Sequence, residues 1–259
     1  MKLTMYQVDA FTGRLFGGNP AAVVPLPEWP DAGLMQQIAA ENNLSDTAFF
    51  TGTGGHYELR WFTPLAEVDL CGHATLAAAW VLYHRLQAGS GRLYFSTRSG
   101  ELTVTRSGDR LAMDFPSQPA TSCVPPPELL RAIEMEPEEV LRAEDFMVVL
   151  QNERQVREVK PDLFLLKQIP LRGVIITAPG DTGDFVSRMF FPKLGIDEDP
   201  VTGSSHCSLT PYWADKLGKT KLFARQLSKR GGEIQCELDG RRVRLLGGCV
   251  EYMQATINV

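Results

Sequence analysis

Hydrophobic residues are densest just after residue 75. The segment Leu76-Ala77-Ala78-Ala79-Trp80-Val81-Leu82-Tyr83 has no polar face. A surface helix keeps a polar stripe, so a helix that is apolar all round is buried all round. The preceding stretch, Asp69-Leu70-Cys71-Gly72-His73-Ala74-Thr75, reads as a strand end, a tight glycine turn and a polar first helical turn. Backbone N–H groups in the first turn of a helix lack intrahelical partners, and an anion or carboxylate suits them. The plainer alternative is a core helix capped by its own Asp69 or Thr75.

Around this helix the pattern predicts mostly strands. Leu3 to Ala10 and Ala21 to Val24 alternate or run apolar, separated by the turn Gly17-Gly18-Asn19-Pro20. Asp31 is placed to cap a helix from Ala32 to about Glu41. Strands follow at Thr47 to Phe50 and Tyr57 to Phe62, then a meander of Arg92–Phe95, Glu101–Thr105 and Leu111–Phe115. Pro116, Pro119 and Pro125-Pro126-Pro127 mark a linker. Beyond it, Glu128–Met135, Pro137–Arg142 and Leu163–Lys167 read as short helices, and Phe146–Leu150, Gly173–Thr177 and Phe185–Phe191 as strands. Pro211 falls inside a second helix, where a proline costs roughly 3 kcal/mol, so a kink or restart is expected there.

The order of features repeats. Phe62-Thr63-Pro64 leads to Gly72-His73, a helix, Gly100-Glu101 and then Gly108. Phe190-Phe191-Pro192 leads to Gly203-Ser204, a helix, Gly232-Glu233 and then Gly240. Leu102, Val104 and Leu111 correspond to Ile234, Cys236 and Val243. A duplicated α+β unit explains the series, with halves at 1–116 and 117–259. The final strand, Glu251 to Val259, has no counterpart in the first half and is expected to cross back onto it. Duplicated halves commonly face one another across a cleft, so two helix starts are expected to serve one small carboxylate.

Composition narrows the function. The 259 residues carry a net charge of −5 with no basic stripe, which argues against nucleic acid. No run of 18 apolar residues occurs and the N-terminus enters a strand directly, so neither a membrane span nor a secretion signal is expected. Five scattered cysteines without a C-x-x-C pair argue against zinc and fit reduced thiols in the cytoplasm.

Three polar clusters are candidates for chemistry: Ser45-Asp46, Gly72-His73, and Asp197-Glu198-Asp199-Pro200-Val201-Thr202-Gly203-Ser204. Each has a structural alternative. Acids favour helix N-termini electrostatically, a lone histidine at a turn is commonly structural, and Asp46 alone suits a loop cap.

The blocks Asn43-Leu44-Ser45-Asp46-Thr47-Ala48-Phe49, Leu70-Cys71-Gly72-His73-Ala74-Thr75-Leu76 and Glu198-Asp199-Pro200-Val201-Thr202-Gly203-Ser204, with Gly18-Asn19-Pro20-Ala21-Ala22-Val23 near the start, resemble the PhzF family of phenazine-biosynthesis-like isomerases. The match runs nearly the whole chain in order. The resemblance implies the diaminopimelate-epimerase-like fold: two pseudo-equivalent halves, each a curled, mostly antiparallel sheet around a central helix. It implies an isomerase without cofactor or metal, usually a homodimer, whose best-known reaction moves a double bond in a dihydro-hydroxyanthranilate by proton transfer. The family's acid/base carboxylate falls on Asp46, its histidine on His73, its second acid on Asp199 and its helix-start serine on Ser204. Ser45, Asn19 and the backbone of Gly72 and Gly203 fall where substrate binds. The phenazine enzyme has glutamate where this chain has Asp46, one methylene shorter, which changes the reach of a proton-transfer group. A carboxyl group between apolar walls holds a proton near neutral pH, and Phe49, Trp61 and Phe62 are the expected walls.

Two other readings share this fold. One is a two-thiol epimerase or racemase using Cys71, for which Cys207 lies a full turn too far into the second helix to be the partner. The other is a catalytically silent binding protein.

Overall fold

A helix joins the second and third strands and makes them parallel. Asp31 accepts the Gly33 N–H at 2.8 Å and starts the helix Ala32–Asn42, which ends at Asn43 in the left-handed conformation. The strands on either side, Asn19–Pro25 and Asp46–Thr53, pair in parallel with Ala21 opposite Asp46. The computed structural model, which describes residues 1–89 and 91–259, divides into two compact units. The first is Met1–Asp114 with Leu246–Val259, and the second is Phe115–Leu245.

In the first unit, Lys2–Ala10 pairs antiparallel with Asn19–Pro25. Asp46–Thr53 pairs antiparallel with His56–Phe62, which pairs in parallel with Leu93–Thr97. That strand continues antiparallel into Gly100–Ser107. The second unit repeats the series. Glu139–Arg142 is antiparallel to Phe146–Val149, which is parallel to Val174–Pro179. Phe185–Phe191 follows antiparallel, then Lys221–Gln226 in parallel, then Gly232–Asp239 antiparallel. In both units the second parallel pair is bridged by a central helix, Gly72–His84 in one and Gly203–Leu217 in the other. The helix Gly72–His84 buries ten of its residues, among them Leu76, Ala77, Ala78 and Ala79, as its lack of a polar face requires.

The last strand, Cys249–Asn258, runs antiparallel along the whole of Lys2–Ala10, from Lys2 opposite Asn258 to Ala10 opposite Cys249. Gly247 precedes it, where an added Cβ would lie 2.4 Å from the Phe11 ring and 3.1 Å from Leu76. A larger residue there would push the central helix off the sheet.

Three local expectations are corrected. Residues 139–142 form a strand instead of a helix. Val140 and Leu141 find partners in Val148 and Met147, and this pairing outweighs the weak helical pattern after Pro137. Of the kink or restart expected at Pro211, the restart is overturned, because the second central helix continues through that residue. Proline removes the donor for the carbonyl four residues back, and the Cys207 carbonyl instead accepts the Gln118 N–H at 3.0 Å. Of the three aromatic walls expected for Asp46, only Trp61 lies on its face of the sheet. Trp61 stands opposite Ala48, which shares a strand face with Asp46. Phe49 and Phe62 meet edge to face at 5.6 Å on the other side, in the core beneath Met35 and Ile38.

Candidate active site

In the first unit, four side chains from three elements converge. Asp46 opens its strand, Asn19 opens the neighbouring one, and Cys71 and His73 stand at the start of the central helix. All four are buried. Gly18, at φ 64°, supplies the left-handed turn that delivers Asn19, and a Cβ there would collide with the Ala10 carbonyl. The parallel pairing of Ala21 with Asp46 then sets Asn19 and Asp46 at the same end of the sheet.

His73 is the hub. Its Nδ1 lies 3.3 Å from the Asn19 amide nitrogen and 3.4 Å from the Cys71 sulfur. Its Nε2 lies 3.7 Å from Asp46 Oδ2 and has no hydrogen-bond partner among the described residues. Burial lowers the imidazole pKa from 6.5 to about 3, so the ring is neutral at physiological pH. Asp46, Cys71 and His73 offer ligand atoms within 4.8 Å of one another, the set a metal ion would use if one bound here. Ser45 stands half-buried beside Asp46, and Gly72 is the first residue of the helix.

Neither side chain expected as a structural cap serves that role. Asp69 is exposed, and the Thr75 hydroxyl donates to the Cys71 carbonyl at 2.7 Å. Cys71, at the cap position, makes no side-chain capping bond, which leaves the first N–H groups of a buried helix to another partner.

The second unit carries the counterpart. Asp199 ends the strand Ile196–Asp199 and is buried. The Thr202 hydroxyl donates to its carboxylate, so Thr202 does not cap the helix that begins at Gly203. Gln226, 1% exposed, holds this turn from below. Its Oε1 accepts the Thr202 N–H at 2.9 Å, and its Nε2 donates to the Asp199 carbonyl at 2.8 Å and to Thr202 Oγ1 at 3.2 Å. Ser204 is half-buried and accepts from Arg172 Nη2 at 3.4 Å, while Arg172 forms a two-pronged pair with the buried Asp145. Of the other acids in this block, Glu198 pairs with Arg188 at 2.7 and 3.0 Å, a structural role.

Gln226, Arg172 and Asp145 escaped the sequence reading. A glutamine ending the strand Lys221–Gln226, where the burial pattern calls for an inward residue, was the one available sign for Gln226. Cys207 sits a turn inside the second helix, and burial pushes its thiol up to about 12. A thiol so reluctant to ionise is a poor proton-abstracting base, which counts against Cys207 as the second member of a two-thiol pair.

Comparison with known proteins identifies the family and the fold. The family described as phenazine biosynthesis-like protein matches residues 8–255. A Pseudomonas aeruginosa protein named as an uncharacterized isomerase is 52% identical over 259 residues, covering all of both chains. The crystal structure of a PhzF family protein from Enterococcus faecalis superimposes with a TM-score of 0.97 at 44% identity, again over the whole of both chains. A hydroxyproline epimerase from Agrobacterium vitis, at 9% identity and a TM-score of 0.64 over 99% of this chain and 92% of its own, shares the fold alone. The α+β architecture, the order of the motif blocks and the whole-length match converge on one conclusion: the chain belongs to the PhzF family of phenazine biosynthesis-like proteins.

Proposed function

We propose that the protein is a cofactor-independent isomerase in which Asp46 carries a proton between two carbons of a small cyclic carboxylate. The observation that carries this reading is the buried Asp46–His73 pair, 3.7 Å apart at the uncapped start of an apolar helix. A carboxyl group out of bulk water, next to a neutral imidazole, is suited to giving up a proton and taking it back. The N–H groups of Gly72 and His73 suit a substrate carboxylate, and Ser45 and Asn19 flank Asp46. Asp199 and Ser204 keep the roles that the family resemblance gives them, a second acid and a helix-start hydroxyl, and Gly203 supplies backbone N–H groups. The reading includes a homodimer. Aspartate in place of the family's glutamate shortens the reach of the proton carrier, so the substrate is expected to differ from the dihydro-hydroxyanthranilate of phenazine synthesis.

The test uses cyclohexadienyl and aromatic carboxylates in D2O, with carbon-bound deuterium followed by NMR. Wild type is expected to introduce deuterium into at least one of them. Asp46→Asn keeps the size and is expected to fold normally while losing roughly 10²–10⁴-fold in rate, the usual contribution of a general acid/base. Exchange at the wild-type rate in Asp46→Asn would end the proposal.

A further inference from the structure

His73 has two ring nitrogens with different surroundings, and the difference settles which one holds the hydrogen. Nδ1 faces two groups that arrive from separate elements. The Asn19 side-chain nitrogen, 3.3 Å away, is a donor and has no lone pair to offer. The Cys71 thiol, 3.4 Å away, is a weak donor with a hydrogen of its own. With the Asn19 amide turned this way, a protonated Nδ1 would set N–H against N–H, which favours Nδ1 as the accepting nitrogen. The hydrogen of the neutral ring is then on Nε2, and Nε2 is the atom that faces Asp46 Oδ2 at 3.7 Å.

We propose that Asn19 and Cys71 are positioning residues that hold His73 in its Nε2–H tautomer, so that the imidazole presents an N–H, and not a lone pair, toward Asp46. This rests on the proposed role of Asp46. The consequence is chemical. A ring already carrying hydrogen on Nε2, with Nδ1 occupied, has no free site for the proton that Asp46 releases. Asp46 therefore hands its proton to substrate, and His73 Nε2–H closes on the carboxylate that remains and stabilises it. The opposite tautomer would present a lone pair to Asp46, engage the carboxyl hydrogen in a hydrogen bond and turn it away from the substrate. Asn19, placed by family resemblance among substrate-binding residues, thereby acquires a role through His73.

The molecule contains its own control. His206 is fully buried, and its Nδ1 lies 2.7 Å from the Thr202 carbonyl, which can only accept. His206 must therefore carry its hydrogen on Nδ1, the reverse of His73.

The experiment is a long-range ¹H–¹⁵N correlation spectrum of the full-length protein labelled with ¹⁵N-histidine, with His73 assigned by its loss in His73→Gln. The expected result is an unprotonated Nδ1 and a protonated Nε2 for His73, with the reverse for His206, both unchanged from mildly basic to mildly acidic buffer. Asn19→Asp puts an acceptor against Nδ1 and is expected to turn His73 to the Nδ1–H form without altering the His206 signals. Its deuterium-exchange rate should fall on the order of 10²-fold, as for loss of an oriented donor to a developing charge. An Nδ1–H or doubly protonated His73 in wild type overturns the inference. So does an unchanged tautomer in Asn19→Asp, and if that variant does not fold, the wild-type spectrum decides. The spectrum needs no substrate, so the inference stands or falls separately from the activity of Asp46→Asn.

Discussion

Gln226→Leu tests whether the turn before the second central helix is built as described. Leucine matches glutamine in bulk and fits the buried position, so the change removes polar bonds without opening a large cavity. Three bonds vanish: the acceptor for the Thr202 N–H at 2.9 Å, the donor to the Asp199 carbonyl at 2.8 Å and the donor to Thr202 Oγ1 at 3.2 Å. Two of the stranded groups are backbone atoms, and each buried group left unsatisfied costs about 1–3 kcal/mol. Added apolar burial offsets on the order of 1 kcal/mol. The net loss is about 3 kcal/mol, which for a chain of this size corresponds to roughly 6–12 °C in melting temperature. Circular dichroism melts of wild type, Gln226→Leu and Gln226→Glu measure it. The glutamate variant keeps the acceptor for Thr202 and should fall between the other two. A leucine variant melting within about 2 °C of wild type would refute the argument that Gln226 holds Asp199 and Thr202 in place.

Other outcomes follow from the same geometry. Burial lowers His73 to about 3 and His206 to about 4, from 6.5 in the unfolded chain, so only the unfolded chain takes up these protons on mild acidification. Their contribution to stability is whole above about pH 6.5 and is lost as pH falls through the window toward 4 and then 3, at about 1.4 kcal/mol per unit per histidine. Urea titrations across that range should show the decline, and a flat profile would contradict the burial of both rings. Pro211→Ala should change stability by less than about 1 kcal/mol, far from the ~3 kcal/mol of an ordinary helix interior, because Gln118 already satisfies the Cys207 carbonyl; a large gain in a thermal melt would show that it does not. Dialysis against EDTA should leave the melting temperature unchanged, whereas a drop reversed by zinc would assign the Asp46–Cys71–His73 set to a metal.

Much of this site was legible in the sequence because its residues sit at punctuation. Asp46 follows a helix end and His73 and Ser204 stand in first helical turns, so local pattern marks them as candidates, whereas Asn19 and the roles of all four came from the family resemblance. Gln226 and Arg172 were not legible, because each acts on a residue more than twenty positions away and nothing near it in the chain announces the contact. The same holds for residues 139–142, whose strand exists only through pairing with 146–149. The aromatic walls failed for a simpler reason. Alternation along a strand separates neighbours in sequence onto opposite faces, and Phe49 and Phe62 are on the face away from Asp46.

The pairing of Lys2–Ala10 with Cys249–Asn258 bears on the order in which the chain acquires its structure. On the ribosome Lys2–Ala10 emerges well before Cys249–Asn258, so one of its two edges stays without its partner until that later strand has been made. The second unit draws its residues from one continuous stretch, 115–245, and is free to fold before the first is complete. The strand of longest wait, Lys2–Ala10, also carries Leu3, Met5 and Val8 into the core, so for most of synthesis it is an apolar edge open to pairing with other chains. A ribosome that stalls near residue 245 would therefore release a chain with its later unit formed and its earlier unit open along that edge.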